Sequence, residues 1–133
     1  MLFRSRHVPD SQVPPGVQVF ELFGSLFFGA VNKLEELLDP REGHPEVVIL
    51  DMSRLIQLDT TGLEGLENLR DKLHKRGCTL LVCGMNSQPG SLLFRSGFID
   101  HLGDDNICPD LTHALQRAYL LLPNLMGGFE EDY

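Results

Sequence analysis

The stretch EVVILDMSRLIQLDTTGLEGLENLRDKLHKRGCTLLVCG, residues 46–84, contains two apolar runs with a helical pattern between them. The first run, at 46–52, is rich in β-branched residues and predicts a strand that is buried on both faces. Leucines then recur every three or four residues through 63–73, which is the pattern of one helix face. The second run, at 78–85, predicts another buried strand. A strand, a helix and a strand in this order predict two neighbouring parallel strands.

The same alternation of strands and helices extends on both sides of this stretch. Residues 17–24 alternate apolar and polar side chains and predict a strand, whereas 26–39 carry an apolar stripe at helical spacing. Downstream, 89–97 predict a short helix, 98–105 a short edge strand and 108–122 a final helix. The pattern predicts an α/β fold with a mostly parallel central sheet of about four to five strands and about four to five helices.

The chain has 133 residues, which is typical of one domain. Residues 1–16 carry three prolines and no apolar periodicity, so they predict a linker or a loosely attached arm. Residues 17–122 contain every predicted strand and helix and form the predicted domain. Residues 123–133 are rich in glycine and acidic side chains and predict a flexible acidic tail.

The charge and the hydropathy of the chain limit its partners. The formal net charge is −8 and the sequence pI is about 4.9. An acidic balance argues against binding to nucleic acid, which requires a basic face. No apolar run approaches the roughly 20 residues that a membrane helix needs. This stretch of chain is therefore not expected to cross a membrane by itself, although it fits a piece of a larger protein that does.

The cysteines and histidines do not form a recognisable site. Cys78, Cys83 and Cys108 predict reduced thiols that fill small apolar spaces. Cys78 and Cys83 are five residues apart on a predicted strand, so they should face opposite sides of the sheet. The five histidines form no H-x-x-x-H or H-E-x-x-H motif, and no P-loop, G-x-G-x-x-G or G-x-S-x-G motif occurs. No nucleophile–base pair follows from the motifs, so we expect no metal site, no cofactor and no enzyme.

Hydroxyls and a glycine lie where the first buried strand leads into the helix. Residues 55–62 should form the crossing loop, and Thr61 with Glu64 fits a capping box, which makes Thr61 the predicted N-cap. Thr60 would then lie just outside the helix with its hydroxyl free. One interpretation is that these residues only cap the helix, with Gly62 permitting close packing. The other is that the amides at the helix start favour a bound anion or a phosphate.

A second candidate region lies at the carboxyl end of the predicted sheet, where open α/β sheets bind ligands. Asp51 and Ser53 come at the end of the first buried strand, and the predicted loop 84–91 follows the second. Asn86 and Ser87 lie in this loop, before the next predicted helix. The sequence therefore predicts either a simple turn or an anion or nucleotide pocket that includes Asp51, Ser53, Asn86 and Ser87.

The sequence VVILDMSRLIQLDTTGLEGLENLRDKLHKRGCTLLVCG at 47–84 resembles the core of STAS domains, the sulfate transporter and anti-sigma factor antagonist family. The resemblance extends over about 17–122. In the antagonists, the stretch corresponding to 59–63 reads Asp-Ser-Ser-Gly-Leu, and a partner kinase phosphorylates its first serine. The resemblance therefore implies a regulatory loop with the phosphoacceptor at Thr60, formed by Asp59, Thr60, Thr61 and Gly62.

The segment LFGSLFFGAVNKLEELL at 22–38 resembles the sulfate-permease branch of the family, and RHVPDSQVPPG at 6–16 resembles the segment that joins such a permease to its STAS domain. Phe27 and Phe28 lie at the predicted helix start. An aromatic pair there is usually core, but adjacent residues on a helix cannot both face the core, so one ring is a candidate partner surface.

The resemblance implies a non-catalytic regulatory and protein-interaction domain of a bacterial sulfate permease-type secondary anion transporter. Its place would be the cytoplasmic face of the inner membrane. The implied partners are the membrane domain of the same transporter, another STAS domain, an acyl carrier protein or a nucleotide. The alternative is a free-standing anti-sigma factor antagonist that is switched by phosphorylation of Thr60.

Overall fold

The computed structural model describes residues 3–5, 13–26, 28–38 and 45–122. One sheet of five strands forms its centre, in the order β1-β2-β3-β4-β5. The first strand pairs antiparallel with the second, and the remaining neighbours are parallel. The strands are β1 (Phe3–Ser5), β2 (Val17–Leu26), β3 (Val47–Leu58), β4 (Thr79–Cys83) and β5 (Ile107–Cys108).

Helices follow the strands and cover both faces of the sheet, which confirms the predicted α/β fold. Four of them pack against one face and α5 packs against the other. The helices are α1 (Phe28–Leu37), α2 (Thr60–Lys75), α3 (Ser87–Arg95), α4 (Phe98–Leu102) and α5 (Leu111–Leu121), with a 3₁₀ turn at Asp104–Asn106.

Two apolar cores lie on opposite sides of β3, as its continuous apolar run predicts. Val48 and Leu50 pack beneath α1 and α2, whereas Val47 and Ile49 pack beneath α5. All four side chains are fully buried. The core under α5 is closed by two alanines of that helix, and small side chains allow a helix to approach the sheet closely. Cys78 belongs to the first core and Cys83 to the second, as their spacing predicts.

The prediction that β3 ends near residue 52 is wrong, because the strand continues to Leu58. The register with β2 explains the error. Between the pairs Glu21↔Asp51 and Phe23↔Arg54, β3 advances by one residue more than β2, and a second irregularity follows before Ser25↔Gln57. Such β-bulges break the two-residue alternation of side chains. A strand with two bulges therefore looks like a loop in a periodicity analysis.

The predicted edge strand at 98–105 is also wrong. Phe98–Leu102 is a helix whose first and last residues are buried, and the edge strand is β5 at Ile107–Cys108. At the other edge, Phe3–Ser5 pairs with β2, a strand that the proline-rich composition of residues 1–16 did not indicate. The predicted tail at 123–133 lies outside the described residues, and the domain boundaries stay predictions.

Gly77 has φ +77°, the left-handed conformation that ends many helices, and it directly follows Arg76, the C-cap of α2. Within the described part of the chain, no helix has the length and hydropathy needed to cross a bilayer.

Candidate functional site

Asp59 caps α2. Its backbone is extended. Its Oδ1 accepts hydrogen bonds from the Gly62 N–H and the Thr61 hydroxyl, each with a donor–acceptor distance of 2.7 Å. The prediction that Thr61 is the N-cap is therefore wrong. The helix begins two residues earlier than the capping-box pattern indicates, because Asp59 directly after β3 provides the cap, and aspartate is as good a cap as threonine.

The Thr61 hydroxyl connects the starts of two helices. It donates to Asp59 and also accepts the backbone N–H of Phe28, the first residue of α1, over 3.3 Å. One of the amides that a helix start leaves without an intrahelical partner is thereby satisfied. Thr61 and Phe28 are 33 residues apart in sequence, so no local pattern indicates this bond.

Gly62 and Gly65 allow α2 to lie against its neighbours. A Cβ atom at Gly62 would lie 2.5 Å from the carbonyl oxygen of Leu26, the last residue of β2. A Cβ atom at Gly65 would lie 2.9 Å from Cβ of Val31 on α1. These distances are too short for real side chains, so both positions require glycine at the present separation of the elements.

Phe28, Asp59, Thr60 and Thr61 form an exposed surface at the starts of α1 and α2, called here the α1–α2 corner. Thr60 is the first residue of α2 and not, as predicted, a residue outside the helix. Its side chain is exposed. The Phe28 side chain is 37% exposed, whereas Phe27, the other predicted partner residue, lies outside the described residues.

Asp51 is buried at the end of the β3–β4 pairing. Its side chain is only 4% exposed, and Oδ1 accepts the Ser53 N–H over 3.0 Å. Gly84 follows β4 with φ +70°, a conformation that favours glycine. A Cβ atom there would lie 3.3 Å from the same Oδ1. The carboxylate therefore lies beneath a tight turn, and the exposed residue of the predicted pair is Ser53.

The side chains of Asn86 and Gln88 extend the sheet beyond β4. Asn86 Nδ2 donates to the carbonyl oxygens of Ser53 (2.9 Å) and Leu55 (3.0 Å). Gln88 binds both backbone groups of Leu58, accepting its N–H over 2.8 Å and donating to its carbonyl over 3.0 Å. The β3–β4 pairing ends at Asp51, so among the described strands the backbone of β3 beyond this residue has no partner on that side. The two side chains bind the backbone of β3 there in place of β4.

The structure thus brings Ser53 and Asn86 together, as the predicted pocket requires, but it gives the amide of Asn86 two backbone partners. Ser87 is exposed at the first position of α3, so the predicted loop 84–91 is largely helical. The anion or nucleotide pocket stays a prediction.

The sequence by itself gives no signal for the role of Gln88, because its hydrogen-bond partner Leu58 is 30 residues away. Among the described residues, no group of three or more His, Cys, Asp or Glu side chains could hold a metal ion.

Replacing Asp59 with asparagine should destabilise the domain at neutral pH, and the loss should shrink in acid. The Gly62 N–H and then the Thr61 hydroxyl hold the pKa of Asp59 below its ordinary value of 3.8. A carboxylate with a lowered folded-state pKa stabilises the fold above its ordinary pKa, and this contribution is lost as the pH falls through the lowered value. Urea unfolding of both proteins, from about pH 7 into the acid range, measures the difference.

Asp110 provides a matched comparison for this experiment. It caps α5, and hydrogen bonds from the His113 N–H and the His113 side chain lower its pKa. Asp110→Asn should therefore show the same direction of pH dependence without altering the α1–α2 corner. A stability difference for Asp59→Asn that stays constant throughout the acid range would contradict the assigned role.

The structure has a mostly parallel sheet, helices on both of its faces and a capped start of α2. Comparison with known proteins identifies the class of domain. Residues 8–114 match the STAS domain family. The chain therefore belongs to the STAS domain family.

The relatives with the stronger similarity carry the names of sulfate transporters. The chain is 31% identical over 90 residues, 67% of its length, to the putative sulfate transporter YvdB of Bacillus subtilis, of which the match covers 17%. Its sequence is 38% identical to that of a sulfate transporter family protein from Wolinella succinogenes with a known crystal structure. The two structures superpose with a TM-score of 0.75, and the match covers 82% of this chain and 89% of that one. The SulP transporter STAS domain of Vibrio cholerae is 30% identical with a TM-score of 0.73, covering 81% and 84%.

A more distant structure shares the fold alone. The unphosphorylated anti-sigma factor antagonist SpoIIAA is 18% identical, with a TM-score of 0.69, covering 90% of this chain and 98% of that one. The two functional branches that the sequence resembles therefore both have this architecture. The identities place the chain with the transporter domains.

Proposed function

We propose that the chain is the cytoplasmic regulatory and protein-interaction domain of a bacterial SulP-type anion transporter. The observation that carries the proposal is the 30% identity to the SulP transporter STAS domain of Vibrio cholerae, which covers most of both chains. The small share of YvdB that the match covers, 17%, supports it, because a transporter needs a membrane part that lies outside this match. On this proposal the domain performs no chemistry and resides at the cytoplasmic face of the inner membrane.

The partner surface that we propose is the α1–α2 corner. It combines a partly exposed aromatic ring, Phe28, with the hydroxyl of Thr60 and the carboxylate of Asp59, and aromatic residues are enriched at protein interfaces. The first partner is the membrane domain of the same transporter. Another STAS domain or an acyl carrier protein is a further candidate for the same surface, whereas a nucleotide stays a candidate for the predicted pocket of Asp51, Ser53, Asn86 and Ser87.

Co-purification tests both the function and the surface. The coding sequence upstream of Met1 is read first, and its apolar spans are expressed as a tagged polypeptide together with this chain. We expect the tagged membrane part to retain the wild-type domain and to retain the Phe28→Ser variant at least about tenfold less. A tenfold loss of affinity corresponds to about 1.4 kcal/mol of binding free energy, which is expected when an aromatic side chain is removed from an interface.

Phe94 provides the matched control, because its ring is 74% exposed but lies on α3. Phe94→Ser should co-purify like the wild type. An upstream region without apolar spans would refute the transporter assignment. Equal retention of both variants would leave the assignment intact and refute the surface.

A second candidate function is a phosphorylation switch at Thr60, as in a free-standing antagonist. It is favoured by the exposed position of Thr60 at the first residue of α2, where backbone amides and the helix dipole favour a phosphate. A kinase encoded beside the gene should label the wild-type chain and leave Thr60→Ala unlabelled. Thr112→Ala is the control, because Thr112 is exposed in the first turn of α5, behind another aspartate cap. Labelling of Thr60→Ala at the wild-type level would refute the switch.

A further inference from the structure

Two thiols lie side by side on the strands at one edge of the sheet. Cys83, the last residue of β4, and Cys108, the last residue of β5, are register partners on parallel neighbouring strands. Both side chains belong to the core beneath α5. Paired strands lie about 4.8 Å apart, and disulfides join residues whose Cα atoms are about 4.4–6.8 Å apart. The backbone therefore holds the two Cα atoms at a separation that a disulfide can span, with both side chains in the same core.

The two thiols differ in access. Cys83 is fully buried, whereas Cys108 is 7% exposed, on a strand of only two residues at the sheet edge. Burial raises the pKa of Cys108, while the nearby cation of Arg117 acts in the opposite direction. Because the thiolate is the reactive form, an oxidant should attack Cys108 slowly and before Cys83.

We propose that Cys83 and Cys108 form a reversible disulfide when the protein meets a hydroperoxide. The thiolate of Cys108 attacks one peroxide oxygen, which gives a sulfenic acid and releases the other oxygen as water or an alcohol. The sulfur of Cys83 then attacks the sulfenic sulfur, forming the S–S bond and releasing water. The two thiols lose two electrons and two protons, and the peroxide is reduced. A dithiol or a thioredoxin-type reductant reverses the step by exchange.

The bond would act on the turn at the carboxyl edge of the sheet. Gly84 follows Cys83 directly, donates its N–H to the carbonyl oxygen of Cys108 over 3.3 Å and packs against Asp51 and Ser53. A disulfide would fix β5 to this turn. The oxidation state of the pair would therefore control how readily the turn opens.

The wild-type chain is sufficient for the decisive experiment. It is treated with hydrogen peroxide, unfolded in an alkylating reagent, and mapped by peptide mass. We expect one cross-linked peptide pair, lighter by two hydrogen atoms, that joins Cys83 to Cys108, while Cys78 is alkylated. Dithiothreitol should restore alkylation at both sites. Alkylation of Cys83 and Cys108 to the untreated level, their conversion to sulfinic or sulfonic acids, or a bond to Cys78 or to a second chain would overturn the proposal.

Variants and hydrogen exchange distinguish a specific pair from general oxidation. Cys78 is the matched control, because it is buried in the opposite core and burial raises its pKa to about 11. Cys78→Ala should retain the cross-link, whereas Cys108→Ala should leave Cys83 fully alkylated. In the oxidised wild type, the Gly84 amide should exchange at least about tenfold more slowly, which corresponds to about 1.4 kcal/mol in opening free energy. An unchanged rate would refute the effect on the turn.

Discussion

Gly62→Ala should destabilise the domain by about 3 kcal/mol, the upper part of the usual range for overpacking. The added Cβ atom would lie 2.5 Å from the Leu26 carbonyl oxygen and 2.9 Å from Cδ1 of Leu58. The first of these is a backbone atom at the end of β2, and it cannot turn aside as a flexible side chain would. Alanine is otherwise the better helix former, by about 1 kcal/mol, so the clash must exceed this gain.

Gly90→Ala is the matched control for Gly62→Ala, because Gly90 also lies within a helix and its added Cβ would meet only Met85, at 3.6 Å. It should stabilise the domain by about 0.5–1 kcal/mol. Urea unfolding of the three proteins compares them directly. If both alanine variants shift the midpoint in the same direction, α2 is not held against β2 as the structure shows.

Leu58→Ala should cost about 3 kcal/mol, because it removes a fully buried side chain from the core beneath α1 and α2. Ile56 is the control: it lies two residues earlier on the same strand but is 71% exposed. Ile56→Ala should change the free energy of unfolding by no more than about 0.5 kcal/mol. Equal losses for both variants in urea unfolding would mean that β3 does not continue to Leu58 in the observed register.

The double variant Leu58→Ala, Gly62→Ala separates the two contacts of an added Cβ. Truncation of Leu58 removes the contact with its Cδ1 atom, but the Leu26 carbonyl oxygen remains. The double variant should therefore stay less stable than Leu58→Ala alone. Full rescue of the Gly62→Ala loss would show that the leucine side chain, and not the β2 backbone, limits the approach of α2.

The central part of the fold follows directly from the sequence. The run at 47–52 is buried at every position, and the leucines of α2 that recur every three to four residues face the first core. These predictions succeed because the period of apolar residues is a local property of strands and helices. Cys78 and Cys83 occupy opposite cores for the same reason.

The errors occur where contacts distant in sequence control the backbone. The second half of β3 contains two register irregularities, so its side chains do not alternate, and only the pairing with β2 identifies it as a strand. The sequence also predicts the wrong cap for α2, because Thr61 with Glu64 fits the capping-box pattern, whereas Asp59 with Gly62 does not. The helix begins at Thr60 because the Asp59 carboxylate accepts the Gly62 N–H and caps it.

The candidate site likewise combines a motif that the sequence predicts with hydrogen bonds that only the tertiary structure shows. The motif predicts a common site for Asp59, Thr60, Thr61 and Gly62, and these residues do lie together at the start of α2. The bond from Phe28 to Thr61, and the bonds of Asn86 and Gln88 to β3, join residues about 30 positions apart. The sequence by itself determined the elements, their buried faces and the motif, because these depend on neighbouring residues. Only the tertiary structure decided which polar groups form hydrogen bonds with each other, because the partner of a side chain depends on how distant segments of the chain meet.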